Sequence, residues 1–450
     1  MQFIRDLSNF VNYPPSKMVL KDLAIRLLRA FRISYPTRDT FLIPAYTGLG
    51  NFVMMTSMIL ELKKRVPRAR IYLLTWPTYG TDQVFDAPVL NEKMGWQVLN
   101  RVKNDKLNPS LLNYSTGHDM QTQREPACVV SGKFLLDPEA PTSKKARFFL
   151  NLRKWKFETA FIPFDASPAF VWWGFSISGC SSICGHTMEM LGLVMGWTRH
   201  VLDIKTPVDI CSHESDIHLD LLDAWTSAQH WPVQGPFLKT LNQPRSYVQH
   251  VAEKGPGVLA KLGLRDSAYI VVQISAANAR TNTPKLWDPK KFYDIIDRFV
   301  SDGETIVLPG DANEKPFIEK FVSDMNTNEV INIAGKTTVS EISTVIKHAK
   351  LLLVHDSGLM HIGNAHRTPL LALYGPTDWV FTEPKAPSSH ILHKNLPCQP
   401  CMAKMARDEN QAMNDCRNGI QCMRDITVDE VYAACKRILR DSGNTIIKDS

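Results

Sequence analysis

Two groups of residues in this 450-residue chain have the types and spacing to do chemistry. The first is His355-Asp356-Ser357-Gly358, which ends the apolar run LLLV and leads into a helical pattern carrying His361. A turn of this kind offers a phosphate the free N–H groups and positive dipole end of a helix, and glycine allows close approach to the backbone. Ser357 can add a hydroxyl donor. Asp356 repels phosphate and suits the hydroxyls of a sugar beside it. An Asp-Ser N-cap accounts for the same residues as well as a binding site does. The second group is Cys398, Cys401, Cys416 and Cys422, spaced C-x2-C-x14-C-x5-C, close to zinc-ribbon spacing. Zinc or iron is the structural metal such a set would take, and a packed cluster of reduced thiols fits equally.

Two further loops share the character of the first. SAANARTNTPKLW, Ser275 to Trp287, holds Asn278, Arg280, Asn282 and Lys285, and is longer than a tight strand-to-helix connection requires. Lys285 or Arg280 can neutralise a diphosphate leaving group. YGPTDW, Tyr374 to Trp379, sets Gly375, Thr377 and Asp378 directly after another apolar run. Three polar turns at the ends of apolar strands point to one ligand-binding sheet edge.

The elements that must hold these turns are legible from periodicity. KMVLKDLAIRLLRAFRI, Lys17 to Ile33, reads as a basic amphipathic helix that suits either an anionic lipid surface or packing on the first domain. Thr40 to Trp76 reads as strand, glycine turn, helix and strand, a βαβ unit. Further strands are expected at Ala127–Val130 and Thr159–Phe164, and a helix over His213–Trp225. Strands and helices then alternate from Tyr269 to Gly375, the pattern of a doubly wound parallel sheet. The expected division is a basic helical segment over 1–38, an α/β domain over 39–225, a Pro-, Gly- and Gln-containing linker over 226–265, and a second α/β domain over 266–450.

Composition narrows the partners. Hydrophobic residues make up 44% and charged residues 22%, as in an ordinary globular protein, and Lys plus Arg exceed Asp plus Glu by only seven. That surplus is compatible with anionic ligands or a membrane surface and does not call for nucleic acid. The region around the cysteines, Lys394 to Arg424, lacks the clustered cations and aromatics of a nucleic-acid module. AFVWWGFSI is too short to span a bilayer, and MQFIRDLSNF lacks a signal-peptide layout, so a cytoplasmic protein is expected. Nine cysteines, an odd number, argue against a disulfide framework. Cys128, Cys180, Cys184, Cys211 and Cys435 read as structural thiols, and His186, His213 and His355 as scaffold histidines.

The run DSGLMHIGNAHRTPLLALYGPTD, followed by LPCQPC, Cys416 and CMRDIT, resembles the C-terminal signature of glycosyltransferase family 9, the heptosyltransferase family. VVQISAANARTNTPKLWDPKKFYDII resembles the start of that family's donor domain, with Lys285 in the place of its phosphate-contacting lysine. GLGNFVMMTSMILELKKRVPRARIYLLT resembles the opening motif, which includes Gly48 and Gly50, and HESDIHLDLL the domain-closing helix. The resemblance implies a GT-B fold of two facing Rossmann-like α/β domains and inverting sugar transfer without a required metal. It also implies an ADP-heptose-like donor and a lipopolysaccharide-core, lipid-linked or other glycan acceptor, with contact at the inner face of the membrane. By position Lys285, Asn278, Asp356, Ser357, Gly358, His361 and Thr377 would bind the donor. The sequence departs from the family at Asn51, where several members carry an Asp as the proposed base. A carboxamide takes no proton at neutral pH. Asp165, after the strand TAFIPF, is the first substitute by placement and Glu383 the second. Otherwise the scaffold binds without turnover. Trp379, where the family often has Pro, is a second departure.

Overall fold

The computed structural model describes residues 39–77, 80–92, 129–164, 169–187, 201–209, 211–228, 249–275, 283–325, 327–402, 416 and 418–446. The basic helical pattern over Lys17–Ile33, Cys128, Asp165, Asn278, Arg280 and Asn282 lie outside the described residues.

The chain divides into two compact units. The elements of the first half are β1 (Thr40–Pro44), α1 (Leu49–Arg65), β2 (Arg70–Thr75), β3 (Gly132–Leu135), α2 (Thr142–Leu152), β4 (Thr159–Ile162), α3 (Ala169–Ile177), β5 (Ser182–Thr187), β6 (Ile204–Pro207) and α4 (Glu214–Ala228). The strands form one six-stranded sheet, β3-β2-β1-β4-β5-β6, and every pairing is parallel. TFLIP and TAFI are buried along their whole length, as parallel strands covered on both faces must be.

One core of this unit is aromatic. Trp155 is fully buried, edge-on to Tyr72 at 5.2 Å and to Phe134 at 5.0 Å, and its indole N–H donates to the Glu92 carbonyl. AFVWWGFSI becomes α3, where Trp173 and Phe175 pack on Phe149 of α2. Among the described residues no helix is long and apolar enough to cross a membrane.

The strand expected at Ala127–Val130 is displaced. The ladder runs over Gly132–Leu135, and Val129 and Val130 are outside it. Lys133 hid this strand from a hydrophobicity reading, yet its side chain is satisfied by the Asp82 carbonyl at 2.6 Å. Periodicity also missed β5 and β6, whose sequences SICGHT and IKTP near the sheet edge interrupt the apolar run with polar residues, a glycine and a proline.

The second half contains α5 (Gly257–Lys261), β7 (Tyr269–Val272), α6 (Pro289–Ser301), β8 (Thr305–Leu308), α7 (Lys315–Met325), β9 (Val330–Asn332), α8 (Val339–Lys347), β10 (Leu351–His355), α9 (Gly358–His366), β11 (Leu370–Tyr374), α10 (Trp379–Thr382), β12 (Ser389–His393), α11 (Gln421–Arg424) and α12 (Val428–Ile446). Its sheet is again all parallel, in the order β12-β11-β10-β7-β8-β9. The edge strand β12, sequence SHILH, was not expected from periodicity. Local signals agree with the helices. Asp288 caps α6 with Pro289 at its first position, and Thr338 with Glu341 forms a capping box on α8.

The two units are not contiguous in sequence. Gly48–Ser57 and Asp209–Ile217 group by contact with the second unit, as does everything from Pro244 onward. Side-chain hydrogen bonds explain part of this grouping: Thr56 Oγ1 accepts from the His250 amide at 2.8 Å, and Gln249 bridges Ser215 and Asn364. The short helix α5 lies within the stretch read as linker.

Trp155→Ala should destabilise the first unit by about 3–5 kcal/mol, the usual cost of deleting a buried aromatic. Urea unfolding followed by circular dichroism measures it, and a loss below about 1 kcal/mol would contradict this packing.

Candidate active site

Both sheets have the Rossmann strand order, so each has a switch point where the chain reverses its direction of growth. In the second unit that point lies between β7 and β10, which pair through Leu352 and Val271. Side chains leaving the C-terminal ends of these two strands meet there. Ser357 Oγ donates to Gln273 Oε1 at 2.7 Å, closing the gap between them.

That bond bears on the capping reading of the Asp-Ser turn. Ser357 is the N-cap of α9 with φ −154° and ψ 170°, but its hydroxyl does not cap the helix. The hydroxyl faces Gln273 instead, and the first amides of α9 have no cap from that side chain. Lys285 Nζ stands 3.6 Å from Asp356 Oδ2, with the lysine side chain 25% and the aspartate 9% exposed. Lys285 therefore sits beside the start of α9, as its loop position suggested. A hydrogen bond from the Trp287 amide to His355 Nε2 at 3.1 Å secures the end of that loop, and the Trp287 indole donates to the Ile426 carbonyl at 2.9 Å.

Gly50 and Gly358 adjoin within this unit. A Cβ at Gly50 would stand 2.7 Å from His361 Cδ2 and 3.4 Å from Gly358 Cα, so any side chain there would displace the imidazole. The N-terminal turns of α1 and α9 are thus in contact, with glycine on both sides. Asn51 follows in the first turn of α1, and Gly48 is exposed just before it. His361 is buried, and burial lowers its pKa to about 4, so it is neutral at physiological pH.

The remaining expected residues divide. Thr377 is buried beside this sheet edge, and its hydroxyl has no hydrogen-bond partner among the described residues. Asp378 is an N-cap for α10, accepting from the Val380 amide at 3.0 Å. Glu383 is engaged by Lys385 through its carboxylate and by His213 Nε2 through its carbonyl, the latter at 3.0 Å. Trp379 stacks on His393 with ring centroids 4.1 Å apart.

Cys398, Cys401, Cys416 and Cys422 line one cavity against Pro376 and Ile420. The segment braces the GPT turn: Gln399 Nε2 donates to the Gly375 carbonyl at 2.7 Å and the Met402 amide to the Pro376 carbonyl at 2.8 Å. Burial, reinforced by the neighbouring thiols, pushes the Cys422 pKa up to about 11. Among the described residues no three His, Cys, Asp or Glu groups are placed to hold a metal ion.

Sequence reasoning missed Gln273, which read as part of the strand YIVVQI. A polar residue inside an otherwise apolar run was the available signal. It also missed the buried polar chain in which Asn364 donates to Gln249 at 3.0 Å and accepts from the Ala386 amide at 2.7 Å. Nothing in periodicity links those three positions.

Residues 241–412 match the family model described as glycosyltransferase family 9 (heptosyltransferase). That segment is similar to family 9 heptosyltransferases. It is 31% identical over 166 residues to lipopolysaccharide heptosyltransferase 3 of Escherichia coli K12, covering 33% of this chain and 47% of that protein. It is 24% identical over 168 residues to lipooligosaccharide heptosyltransferase 2 of Campylobacter jejuni, covering 36% and 50%. The chain thus spans about half the length of the curated relatives it matches. Among solved structures, E. coli ADP-heptose lipopolysaccharide heptosyltransferase II superposes with a TM-score of 0.61 at 16% identity, over 90% of this chain and 99% of that one. The family 9 glycosyltransferase of Veillonella parvula superposes with a TM-score of 0.60 at 16% identity, over 91% and 100%. These likenesses and the two parallel-sheet units place the chain in the GT-B fold class. The family 9 segment contains Lys285, Asp356, Ser357, Gly358, His361 and Thr377.

His213 supplies a pH test. Burial lowers its pKa from 6.5 to about 4, and the neutral ring donates from Nε2 while Nδ1 accepts from the Ser215 amide at 3.2 Å. Between these values the unfolded chain binds the proton and the folded one does not, so stability rises with pH across that window. His213→Gln should lessen the pH dependence of the urea midpoint between pH 6.5 and pH 4, where the native ring costs on the order of 3 kcal/mol on acidification, while the buried His355 and His361 keep a slope of the same sign. An unchanged slope would place the titration elsewhere.

Proposed function

We propose that this chain is an inverting glycosyltransferase that moves a sugar from a nucleotide-diphosphate donor to a lipopolysaccharide-core or other glycan acceptor. The observation that carries this reading is Lys285, held 3.6 Å from Asp356 at the uncapped start of α9. A diphosphate there would meet a cation, a glycine and the helix amides together, and these stabilise the charge that grows as the nucleotide leaves. Asp356 would then release Lys285 to the phosphates and accept hydrogen bonds from sugar hydroxyls. His361 and Thr377 complete the donor side, with Asn278 a further candidate. The matched relatives are heptosyltransferases by name, which makes ADP-heptose the first donor to try. Transfer of this kind needs no metal, because Lys285 and the amides carry the charge stabilisation. The reaction would belong to the cytoplasm, with peripheral contact at the inner face of the membrane where a lipid-linked acceptor lies.

Asn51 cannot be the base. Asp165 is the first candidate for that role and Glu383 the second, although Lys385 already engages Glu383. Asn51 is also the one observation that favours a second reading, a scaffold that binds nucleotide-sugar or glycan without turnover.

Lys285→Ala should lower kcat/KM with ADP-heptose about 10²–10³-fold, the usual loss on deleting a group that stabilises transition-state charge. Asp356→Ala should raise KM for the sugar donor. Full activity in both variants would refute the donor site. Asn51→Asp separates the two readings: activity appearing only in the variant supports the non-catalytic scaffold, and turnover unchanged by it places the base elsewhere.

Our second proposal concerns the four thiols. As a donor set they suit zinc or iron, and binding would have to draw Cys398, Cys401, Cys416 and Cys422 together around the cavity they share. Elemental analysis of the purified chain should find about one metal ion per chain, reduced in Cys401→Ser. Metal-free protein that unfolds at the same temperature with and without added zinc would overturn it.

A further inference from the structure

We infer that His355 is the positioning residue that holds Lys285 beside Asp356, an inference that rests on the donor-site reading above. The geometry forms a ring. His355 is bonded directly to Asp356 in the chain, and its Nε2 accepts from the Trp287 amide at 3.1 Å. Trp287 follows Leu286 and Lys285, and Lys285 Nζ returns to Asp356 Oδ2 at 3.6 Å. Breaking the one imidazole bond opens the ring. The Lys285 amide also reaches Thr283 Oγ1 at 3.4 Å, and the Trp287 indole is anchored on Ile426, away from the pair.

The imidazole itself is held firmly. His355 is 1% exposed and lies edge-on to Phe292, with ring centroids 5.6 Å apart. Because Nε2 accepts, the neutral ring must carry its proton on Nδ1, and that nitrogen has no partner among the described residues. A buried donor left unsatisfied is a cost that a purely packing residue would avoid, since leucine or phenylalanine fills such a site without it. Burial lowers the His355 pKa to about 3, so the acceptor nitrogen persists at every working pH. What the ring provides is one acceptor at one point, aimed at the backbone that carries Lys285.

The test is a double-mutant cycle read by ADP binding in calorimetry, with Lys285 labelling by acetic anhydride as a second readout. His355→Phe keeps the packing against Phe292 and removes the acceptor, and His355→Leu serves if that variant fails to fold. His355→Gln restores an acceptor at a similar reach. We expect His355→Phe to weaken ADP binding five- to tenfold and to label Lys285 several-fold faster. His355→Gln should stay within twofold of the parent in both. His355→Phe combined with Lys285→Ala should bind ADP no more weakly than Lys285→Ala alone, because the histidine acts only through the lysine. A loss that adds in full to that of Lys285→Ala, a glutamine variant as poor as phenylalanine, or unchanged Lys285 labelling would overturn the inference. If Lys285→Ala leaves ADP binding intact while His355→Phe still frees Lys285 to label, the donor-site reading falls and the positioning role stands.

Discussion

The parallel pairing of β10 with β7 is the constraint on which the candidate site depends. These strands are distant in sequence, yet their adjacency makes the switch point of the second sheet and brings two polar turns to one place. Gln273 leaves one strand and Ser357 leaves the other, and they share a hydrogen bond of 2.7 Å. Were the strands ordered otherwise, Ser357 would be free to cap α9, and the start of that helix would be an ordinary capped terminus. Because the hydroxyl is committed across the gap, the helix amides stay available.

A second consequence is electrostatic. Lys285 and Asp356 form a partly buried pair that is modestly stabilising at best, since the remaining exposure of the lysine screens it. The loop that carries Lys285 is bonded through its backbone amides to His355 and Thr283. The glycines act by omission. Gly50 and Gly358 let two helix starts adjoin, and a methyl group at Gly50 would enter space already taken by His361.

Much of this was legible in residue order. The alternation of apolar runs and amphipathic helices predicted two α/β halves, and Asp356, Ser357, Gly358 and Lys285 were singled out by type and position. The misses share a cause. Gly132–Leu135, Ser182–Thr187 and Ser389–His393 form strands whose polar residues break the apolar run; Lys133 is satisfied by the distant Asp82 carbonyl, and Ser389–His393 lies at a sheet edge. His355 was read as scaffold because a lone histidine in an apolar run gives no hint of the amide that approaches it.

The sequence by itself determined the periodicities, the turn chemistry at the strand ends and the loss of a carboxylate at Asn51, because each of these is a property of neighbouring residues. Only the tertiary structure decided that Ser357 serves Gln273 instead of its own helix, that His355 grips the Trp287 backbone, and that Gly48–Ser57 groups with the second unit. Those choices are made by strand order and by contacts between residues far apart in the chain, and no local pattern encodes which distant partner a hydroxyl or an imidazole will meet.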